Sequence, residues 1–381
     1  MTTKLGRKLR MGIVGGGPEA FIGEVHRIAS RIDDRFELVA AALSSNPEKS
    51  LSYAAQLGIR RAYANFQEMA ATEANHPERI DVVAIVTPNS THYSIAMAFL
   101  AAGIRVMCDK PITTTLSDAE KLRAEVERTG LIFAITQSYS GYPMVRQMRG
   151  IVQSGGIGKV RMIHVEYVQG WLATALEFSG SKQAEWRTDP ARSGPAGCLG
   201  DIATHAYHLA CFVSGLKADS ISAELSTFVP GRRLDDNVQA MIRFEGGGRA
   251  SLWSSQVTIG NENNLNIRIY GETGSLEWSQ ENPNYARYTP LLQPTQILSR
   301  GGGALNAVAS RLPAGHPEGY LEAFATLYGD LAELLTARLE GRDPSPSATV
   351  LPTCDDGVEG LRFIEAALQS SKEGTAWKSL R

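Results

Sequence analysis

The stretch MGIVGGGPEAF, residues 11–21, decides the fold of the first half of the chain. The apolar run Leu9–Val14 predicts a buried strand, and the pattern of Ile22–Ile32 predicts an amphipathic helix. Between them, Gly15, Gly17 and Ala20 have the spacing G-x-G-x-x-A, which is typical of turns that bind dinucleotides. A glycine at the first position permits the tight turn, and one at the second lets the backbone approach a pyrophosphate.

The helix that follows this turn should supply the phosphate contacts. Its N-terminus presents unpaired N–H groups and the positive end of the helix dipole. We therefore expect Phe21 and Ile22, in the first helical turn, to lie against the cofactor together with Gly15 and Gly17.

Short apolar runs continue to alternate with amphipathic ones as far as residue 136. Further strands are predicted at Phe36–Ala42, Ile80–Thr87, Arg105–Cys108 and Leu131–Thr136, and helices at Pro47–Leu57, His92–Ala102 and Leu116–Thr129. Continuous apolar strands that alternate with helices indicate a doubly wound parallel sheet. The first 138 residues are predicted to form a Rossmann dinucleotide-binding domain.

The pattern changes after about residue 140, where longer strands of alternating polarity are separated by glycine-rich turns. The strands are predicted at Val160–Tyr167, Ile221–Phe228, Val238–Phe244, Arg249–Ser255 and Leu265–Tyr270. Residues 280–312 are rich in Pro, Gly and Asn and predict a long surface loop, and helices are predicted at Met144–Ser154, Tyr320–Leu339 and Cys354–Lys372. Residues 139–381 should form an α+β domain for substrate binding and oligomerisation, with a large, mainly antiparallel open sheet.

Composition excludes several classes of protein. The 381 residues carry a net charge of −2, which offers no electrostatic footprint for nucleic acid or an anionic membrane. The four cysteines are scattered without a CxxC pair, which argues against a zinc site or a disulfide framework and favours a reducing cytoplasm. No signal peptide or membrane span is predicted, and no metal is expected.

The cofactor-binding edge of the sheet can be followed further along the sequence. Ser44 and Ser45 stand where an acidic residue commonly binds the ribose, which favours NAD and leaves NADP possible. Thr87, Pro88 and Asn89 follow a predicted strand and should border the cofactor, because ligands bind beyond the carboxyl ends of such strands. We place His92, at the start of the next helix, in the same group.

Three short motifs carry a family resemblance that extends over residues 9–370. They are TPN at 87–89, CDKP at 108–111 and GCLGDIATH at 197–205. With them the chain resembles the Gfo/Idh/MocA oxidoreductases, which include glucose–fructose oxidoreductase and the inositol dehydrogenases. Three positions depart from the family pattern: Asp109 replaces the usual glutamate, Ala203 replaces a frequent glycine, and His208 stands where an acidic residue is common.

The resemblance implies roles for three residues. Lys110 would hydrogen-bond the reacting oxygen, His205 would act as general acid and base, and Asp201 would complete the set. Asp109 and Lys110 would also border the cofactor. The residues themselves agree, since Asp201 and His205 are four apart, share one helical face, and lie in a stretch poor in charge.

Substrate-binding candidates lie around these motifs. They are Lys110, Tyr139, Trp186, Arg187, His205 and His316, with Tyr142, Gln169 and Trp171 as further possibilities. The face of an aromatic ring beside a guanidinium group, as Trp186 and Arg187 offer, suits carbohydrate binding. The predicted function is hydride transfer between NAD(P) and a secondary alcohol or ketone of a sugar, cyclitol or sugar derivative.

Two rival functions remain open at this point. An NAD-dependent glycoside-cleaving or isomerising enzyme would oxidise its substrate transiently and recycle the cofactor. A non-catalytic dinucleotide-binding sensor would have no need of Lys110, Asp201 and His205. The family resemblance also implies a homodimer or homotetramer, because the large sheet has a second face to bury.

Overall fold

A computed structural model describes residues 5–18, 20–302 and 309–381. The chain divides into two compact units. The first unit comprises Met1–Gly141 and Tyr320–Val358, and the second comprises Tyr142–Gly319 and Glu359–Arg381.

The described strands and α-helices follow one another along both units. The strands are β1 Leu9–Gly15, β2 Phe36–Ala42, β3 Arg61–Ala62, β4 Val82–Val86, β5 Arg105–Cys108, β6 Phe133–Ile135, β7 Val160–Val168, β8 Ala218–Ser226, β9 Asn237–Phe244, β10 Arg249–Ser255, β11 Asn264–Gly271, β12 Gly274–Ser279, β13 Tyr285–Pro290, β14 Gln296–Ser299 and β15 Lys378–Ser379. The helices are α1 Phe21–Ile32, α2 Pro47–Gln56, α3 Phe66–Asn75, α4 His92–Ala101, α5 Leu116–Thr129, α6 Pro143–Gln153, α7 Lys182–Arg187, α8 Pro190–Ser193, α9 Thr204–Ser214, α10 Tyr320–Glu340 and α11 Cys354–Lys372.

The first unit is built on a six-stranded parallel sheet in the order β3-β2-β1-β4-β5-β6. Its strands are mainly apolar, and every residue of β4 is buried, because helices cover both faces of such a sheet. The predicted Rossmann architecture is confirmed. β3 and α3 were not predicted. β3 has only two residues, and α3 is capped by Asn65, whose side chain accepts from the N–H of Glu68.

Helix α10 belongs to the first unit, whereas the sequence-based boundary assigned every residue after 138 to the second domain. Its apolar side chains Phe324, Leu327 and Leu331 join the core that contains Leu9 and Met11 of β1. The strands and this helix lie far apart in the sequence, so local patterns did not indicate that they share a core.

The second unit contains a nine-stranded sheet in the order β14-β13-β12-β11-β7-β10-β9-β8-β15. Every neighbouring pair is antiparallel except β7 and β10, which run parallel, so the prediction of a mainly antiparallel sheet is confirmed. The prediction of a loop over residues 280–312 was wrong in part. β13 and β14 lie in this segment and extend the sheet from β12, while residues 303–308 lie outside the described residues.

Helices α6 and α9 pack on one face of this sheet. Outward-facing residues alternate with buried ones along β7 and β9, which leaves Met162 and Met241 about half exposed, at 50% and 55%. Within the part of the chain that the structure describes, no helix is both long and apolar enough to cross a membrane.

Candidate active site

The turn between β1 and α1 has the form of a phosphate-binding loop. Gly15 has a φ of 87°, and a Cβ at this position would lie 2.7 Å from the carbonyl oxygen of Val86. A Cβ at Gly17 would lie 2.9 Å from the carbonyl oxygen of Leu43. Ala20 occupies the N-cap of α1 and makes no side-chain hydrogen bond to it, and Phe21 and Ile22 begin the helix. Both glycines are therefore required by the close approach of the chain after β2 and β4, and the tight turn they form ends at a helix N-terminus, as in turns that bind a pyrophosphate.

Gly23, and not Ala20, provides the close contact between helix and turn. A Cβ at Gly23 would lie 2.3 Å from the Cα of Gly16, so a larger residue would push α1 off the turn. Arg27, one turn later and buried, donates to the carbonyl oxygen of Gly16 at 2.8 Å. The sequence analysis assigned the third fingerprint position to Ala20 because it matched the usual spacing; the longer turn moves this role to Gly23.

Ser44 and Ser45, the residues expected to bind the cofactor ribose, lie just after β2. The hydroxyl of Ser44 accepts from the N–H of Asn46 at 3.1 Å, and the Asn46 side chain caps α2 by accepting from the N–H of Lys49 at 3.0 Å. Ser45 is exposed. Leu43, Ser44, Ser45 and Asn46 carry no carboxylate, so the polar side chains directly after β2 are two hydroxyls and one amide.

The TPN motif lies at the carboxyl end of β4, beside the glycine turn, since Gly15 pairs with Val86. Pro88 precedes a 3₁₀ turn over Asn89–Thr91. His92 is fully buried, with Nε2 2.8 Å from the carbonyl oxygen of Thr87 and Nδ1 2.8 Å from that of Pro111. The His92 ring therefore links the loop that contains Thr87 to the loop that contains Pro111, which indicates a positioning role. A contribution of His92 to cofactor binding stays a prediction.

Asp109 belongs to a buried polar network that the sequence analysis missed. Its Oδ1 lies 3.0 Å from Nε2 of His26 and accepts from the hydroxyl of Thr136, and Nδ1 of His26 lies 2.7 Å from the hydroxyl of Tyr328. Burial opposes ionisation of Asp109, yet His26 and the hydrogen bonds from His26 and Thr136 hold the pKa of Asp109 below its ordinary value. Partners 83 residues apart along the chain leave no local sequence signal.

Lys110 follows β5 at the same carboxyl edge as Thr87. Ile85 of β4 pairs with Cys108 of β5, so the residues directly after both strands leave the sheet side by side. The peptide bond between Lys110 and Pro111 is cis. The position of the lysine at this edge agrees with the expected location of the nicotinamide end of the cofactor.

In the second unit, the GCLGDIATH motif forms a helix start of unusual geometry. Asp201 lies in a π-helical turn, Leu199–Ala203, which runs directly into α9, where His205 is the second residue. The sequence analysis placed both residues on a regular α-helix and did not foresee the π turn, a feature often found at functional sites.

A buried carboxylate holds this helix start in place. Asp235 accepts from the N–H groups of Gly197 and Leu199, each at 2.7 Å, and its carbonyl oxygen accepts from the N–H of Cys198 at 2.9 Å. A Cβ at Gly197 would lie 2.2 Å from the carbonyl oxygen of Asp235, so glycine is required here. Burial raises the pKa of Asp235 to about 6, although these backbone hydrogen bonds act in the opposite direction.

Several predicted side chains meet around Asp201. Its Oδ2 accepts from Nε2 of Gln256 at 2.9 Å and from Nε of Arg187 at 3.3 Å. The Arg187 guanidinium lies over the Trp186 ring at 4.2 Å from its centroid and 6.0 Å from that of Trp171. The second unit thus assembles a carboxylate, a cation and two indole rings in one place.

The other candidates are placed as follows. The His205 ring is 6.3 Å from that of Tyr167, centroid to centroid. Tyr139 is buried in the first unit, and Tyr142 packs against Trp278 in the second, with ring centroids 5.3 Å apart. His316 is exposed, and Gln169 accepts from the Trp171 indole at 3.0 Å. Among the described residues, no three His, Cys, Asp or Glu side chains form a group that could hold a metal ion.

Comparison with known proteins identifies the family. Residues 9–137 match the model of the oxidoreductase family with an NAD-binding Rossmann fold, and residues 145–277 match the model of the GFO/IDH/MocA C-terminal domain. The chain belongs to the Gfo/Idh/MocA oxidoreductase family. Its first unit therefore contains an NAD-binding Rossmann domain, and Gly15, Gly17 and the N-terminus of α1 form a backbone cradle that fits NAD.

Individual relatives agree with this membership. An oxidoreductase structure from Sinorhizobium meliloti is 45% identical with a TM-score of 0.88, covering 98% of this chain and 99% of that one. An inositol dehydrogenase homologue from Azotobacter vinelandii, complexed with NAD⁺, is 33% identical with a TM-score of 0.92 and covers 99% of both chains. The same homologue is also known with NADH and myo-inositol. Levoglucosan dehydrogenase from Pseudarthrobacter phenanthrenivorans is 27% identical and covers 72% of this chain and 74% of that protein.

Proposed function

We propose that this family member is an NAD-dependent dehydrogenase that oxidises a secondary alcohol of a sugar, cyclitol or sugar derivative to a ketone. The observation that carries the proposal is the cluster around Asp201, where a carboxylate four residues before His205 is held by Arg187 and Gln256 beside two indole rings. Such a cluster offers polar groups for hydroxyls and flat apolar surfaces for a ring face. The myo-inositol and levoglucosan named for its relatives support this substrate class.

Each of the three central residues receives a role in proton transfer. His205 removes the proton from the substrate hydroxyl, Lys110 polarises the same oxygen, and Asp201 orients the histidine. Bound NAD would supply the hydride acceptor, and the residues proposed to hold it are Gly15, Gly17, Phe21, Ile22, Ser44, Ser45, Thr87, Pro88, Asn89, His92, Asp109 and Lys110.

Substrate contacts are proposed for both units. Trp186 and Arg187 are the best supported, because Arg187 already lies against Asp201. Tyr139 and His316 complete the proposed set. His316 is exposed, so its side chain is accessible to a ligand.

The experiment measures NADH formation with a panel of inositols, sugars and glycosides, with NADP tested in parallel. We expect Lys110→Met and His205→Asn to lower kcat at least about 100-fold while NAD still binds, because each removes a group that acts on the proton. Lys121→Met, at an exposed position on α5, serves as the control and should retain wild-type activity.

Three outcomes separate the proposal from its rivals. Wild-type turnover in both variants would remove the catalytic assignment. Product formation without net NADH would instead indicate an enzyme that recycles its cofactor. NAD binding without turnover of any substrate in the panel would favour a sensor.

We also propose that the protein forms a homodimer or homotetramer through the outer face of the nine-stranded sheet. This face bears a groove of about 550 Å³ lined by residues that include His164, Met241, Trp253 and Arg268. Aromatic, Met and Arg side chains are enriched at protein interfaces, and the opposite face of the sheet is already covered by α6 and α9.

A further inference from the structure

Gln256 is a buried polar residue to which the sequence analysis gave no role. It directly follows β10 and is only 3% exposed. Its Nε2 donates to Oδ2 of Asp201 at 2.9 Å, the same oxygen that accepts from Nε of Arg187 at 3.3 Å. Two donors that approach one carboxylate oxygen from different elements restrict rotation of the carboxylate plane.

The backbone of Gln256 is itself anchored on both sides. Its N–H donates to the carbonyl oxygen of Asp236 at 2.9 Å, and its carbonyl oxygen accepts from the N–H of Leu172 at 3.0 Å. Arg232, which is fully buried, donates to Oδ2 of Asp236 at 3.2 Å and to the carbonyl oxygen of Leu172 at 2.9 Å. A bidentate pair with Glu177, at 2.9 and 3.0 Å, fixes the guanidinium. The Gln256 amide therefore projects from a rigid base.

The two donors to Asp201 differ in character. The side chain of Arg187 is 26% exposed and lies on an indole ring at the surface of the cluster, where solvent and ligands reach it. Gln256 is neutral and buried, so its hydrogen bond orients the Asp201 carboxylate without adding charge. A glutamine that is buried and anchored in this way is suited to holding a partner in one orientation.

We propose that Gln256 is a positioning residue, which holds the Asp201 carboxylate in the orientation that His205 needs for proton exchange. The proposal rests on the proposed dehydrogenase function of the same site. It predicts that loss of the amide donor slows the chemical step and leaves cofactor binding unchanged.

The first test compares two substitutions with a matched control. Gln256→Met keeps the length of the side chain and cannot donate, and we expect roughly a tenfold lower kcat with an unchanged KM for NAD. Gln256→Glu keeps the shape and places a second carboxylate against Asp201, so the loss should be larger at neutral pH. It should recover in part at lower pH, because a protonated glutamic acid can donate again. Gln67→Met, exposed on α3, should behave as wild type.

The second test follows the protonation of His205 by NMR of its ring Cε1–H in the protein without substrate, assigned with His205→Gln. Arg187 of α7 and Gln256 after β10 donate to Asp201, the charge of Asp201 also acts on the buried Cys198 thiol, and the Tyr167 ring of β7 lies 6.3 Å from the His205 ring. We expect Gln256→Met to shift the titration midpoint of His205 and Gln67→Met to leave it unchanged.

The outcomes are distinguishable. An increase in KM for the alcohol alone, with kcat and the His205 titration unchanged, would make Gln256 a substrate contact and overturn the proposal. If none of the alcohols in the panel supports NAD reduction by the wild-type protein, the proposed function fails. The His205 titration still decides whether Gln256 acts on the Asp201–His205 pair in that case.

Discussion

At the scale of single residues, the cofactor turn depends on a close approach between Gly23 of α1 and Gly16. The distance of 2.3 Å that a Cβ at Gly23 would make to the Gly16 Cα is far below van der Waals contact. Arg27, four residues after Gly23 in α1, donates to the carbonyl oxygen of Gly16 in the same glycine turn. The turn and the helix therefore form one packed structure, and its shape is sensitive to a single methyl group.

We predict that Gly23→Ala weakens NAD binding about tenfold or more and destabilises the first unit by about 1–3 kcal/mol, the usual effect of overpacking. Isothermal titration calorimetry and denaturant unfolding would measure the two effects. Gly360→Ala in α11 is the control, because an added Cβ there meets nothing within 4 Å and should be neutral or stabilising. Unchanged NAD affinity in Gly23→Ala would contradict the close contact.

At the scale of the element, the helix segment that carries Asp201 and His205 is held at its N-terminal end by Asp235. A carboxylate at this end satisfies N–H groups that would otherwise lack partners and faces the positive end of the helix dipole. Its burial nevertheless makes ionisation unfavourable, which is why the pKa of Asp235 is raised from 3.8 to about 6. The folded protein therefore binds a proton more tightly than the unfolded chain does.

This raised pKa predicts a pH dependence of stability with a defined sign. Because the folded state binds more protons between pH 3.8 and about 6, the contribution of Asp235 to the free energy of unfolding decreases as pH rises through this window and is constant above it. Replacement by asparagine removes the titration. The free energy of unfolding of Asp235→Asn relative to wild type should therefore rise by about 2 kcal/mol between about pH 4.5 and pH 7.

Urea unfolding of both proteins across this range would measure that difference. Asp235→Asn also changes the hydrogen bonds to Gly197 and Leu199, but this effect gives an offset that does not depend on pH. Curves that stay parallel at every pH would show that Asp235 has an ordinary pKa in the folded protein.

At the scale of the whole molecule, the nine-stranded sheet of the second unit presents an outer face that includes partly exposed methionine and tryptophan side chains. Met241 on β9 is 55% exposed, and Trp253 on β10 is partly exposed beside it. Burying apolar surface of this kind favours association.

We expect light scattering at micromolar concentration to give a mass of two or four times the 41.2 kDa of one chain. Met241→Asp, which places a charge on the proposed interface at a site already half exposed, should shift the protein towards the monomer. Leu51→Asp on α2, where the side chain is 43% exposed, is the control and should leave the mass unchanged. A monomeric wild-type protein would rule out this interface.

Local patterns predicted much of the architecture. The parallel sheet followed from continuous apolar strands, as in β4, where burial on both faces demands apolar side chains at every position. Two predictions failed because the determining contacts are distant in the sequence. α10 was assigned to the second domain but packs in the core of the first unit. β13 and β14 were predicted as a loop but form strands by pairing with neighbouring strands. Such elements depend on partners that no window of sequence contains.

The sequence by itself determined the glycine turn, the DKP motif and the Asp201–His205 pair, because each depends on residue types at short, fixed spacing. Only the tertiary structure showed that Gly23 packs on Gly16, that His26 and Tyr328 support Asp109, and that Gln256 holds Asp201. A motif consists of residues that are neighbours in the sequence, whereas the groups that orient it belong to other strands and helices and meet it only in the folded protein. Their identity is set by packing and hydrogen-bond geometry in three dimensions.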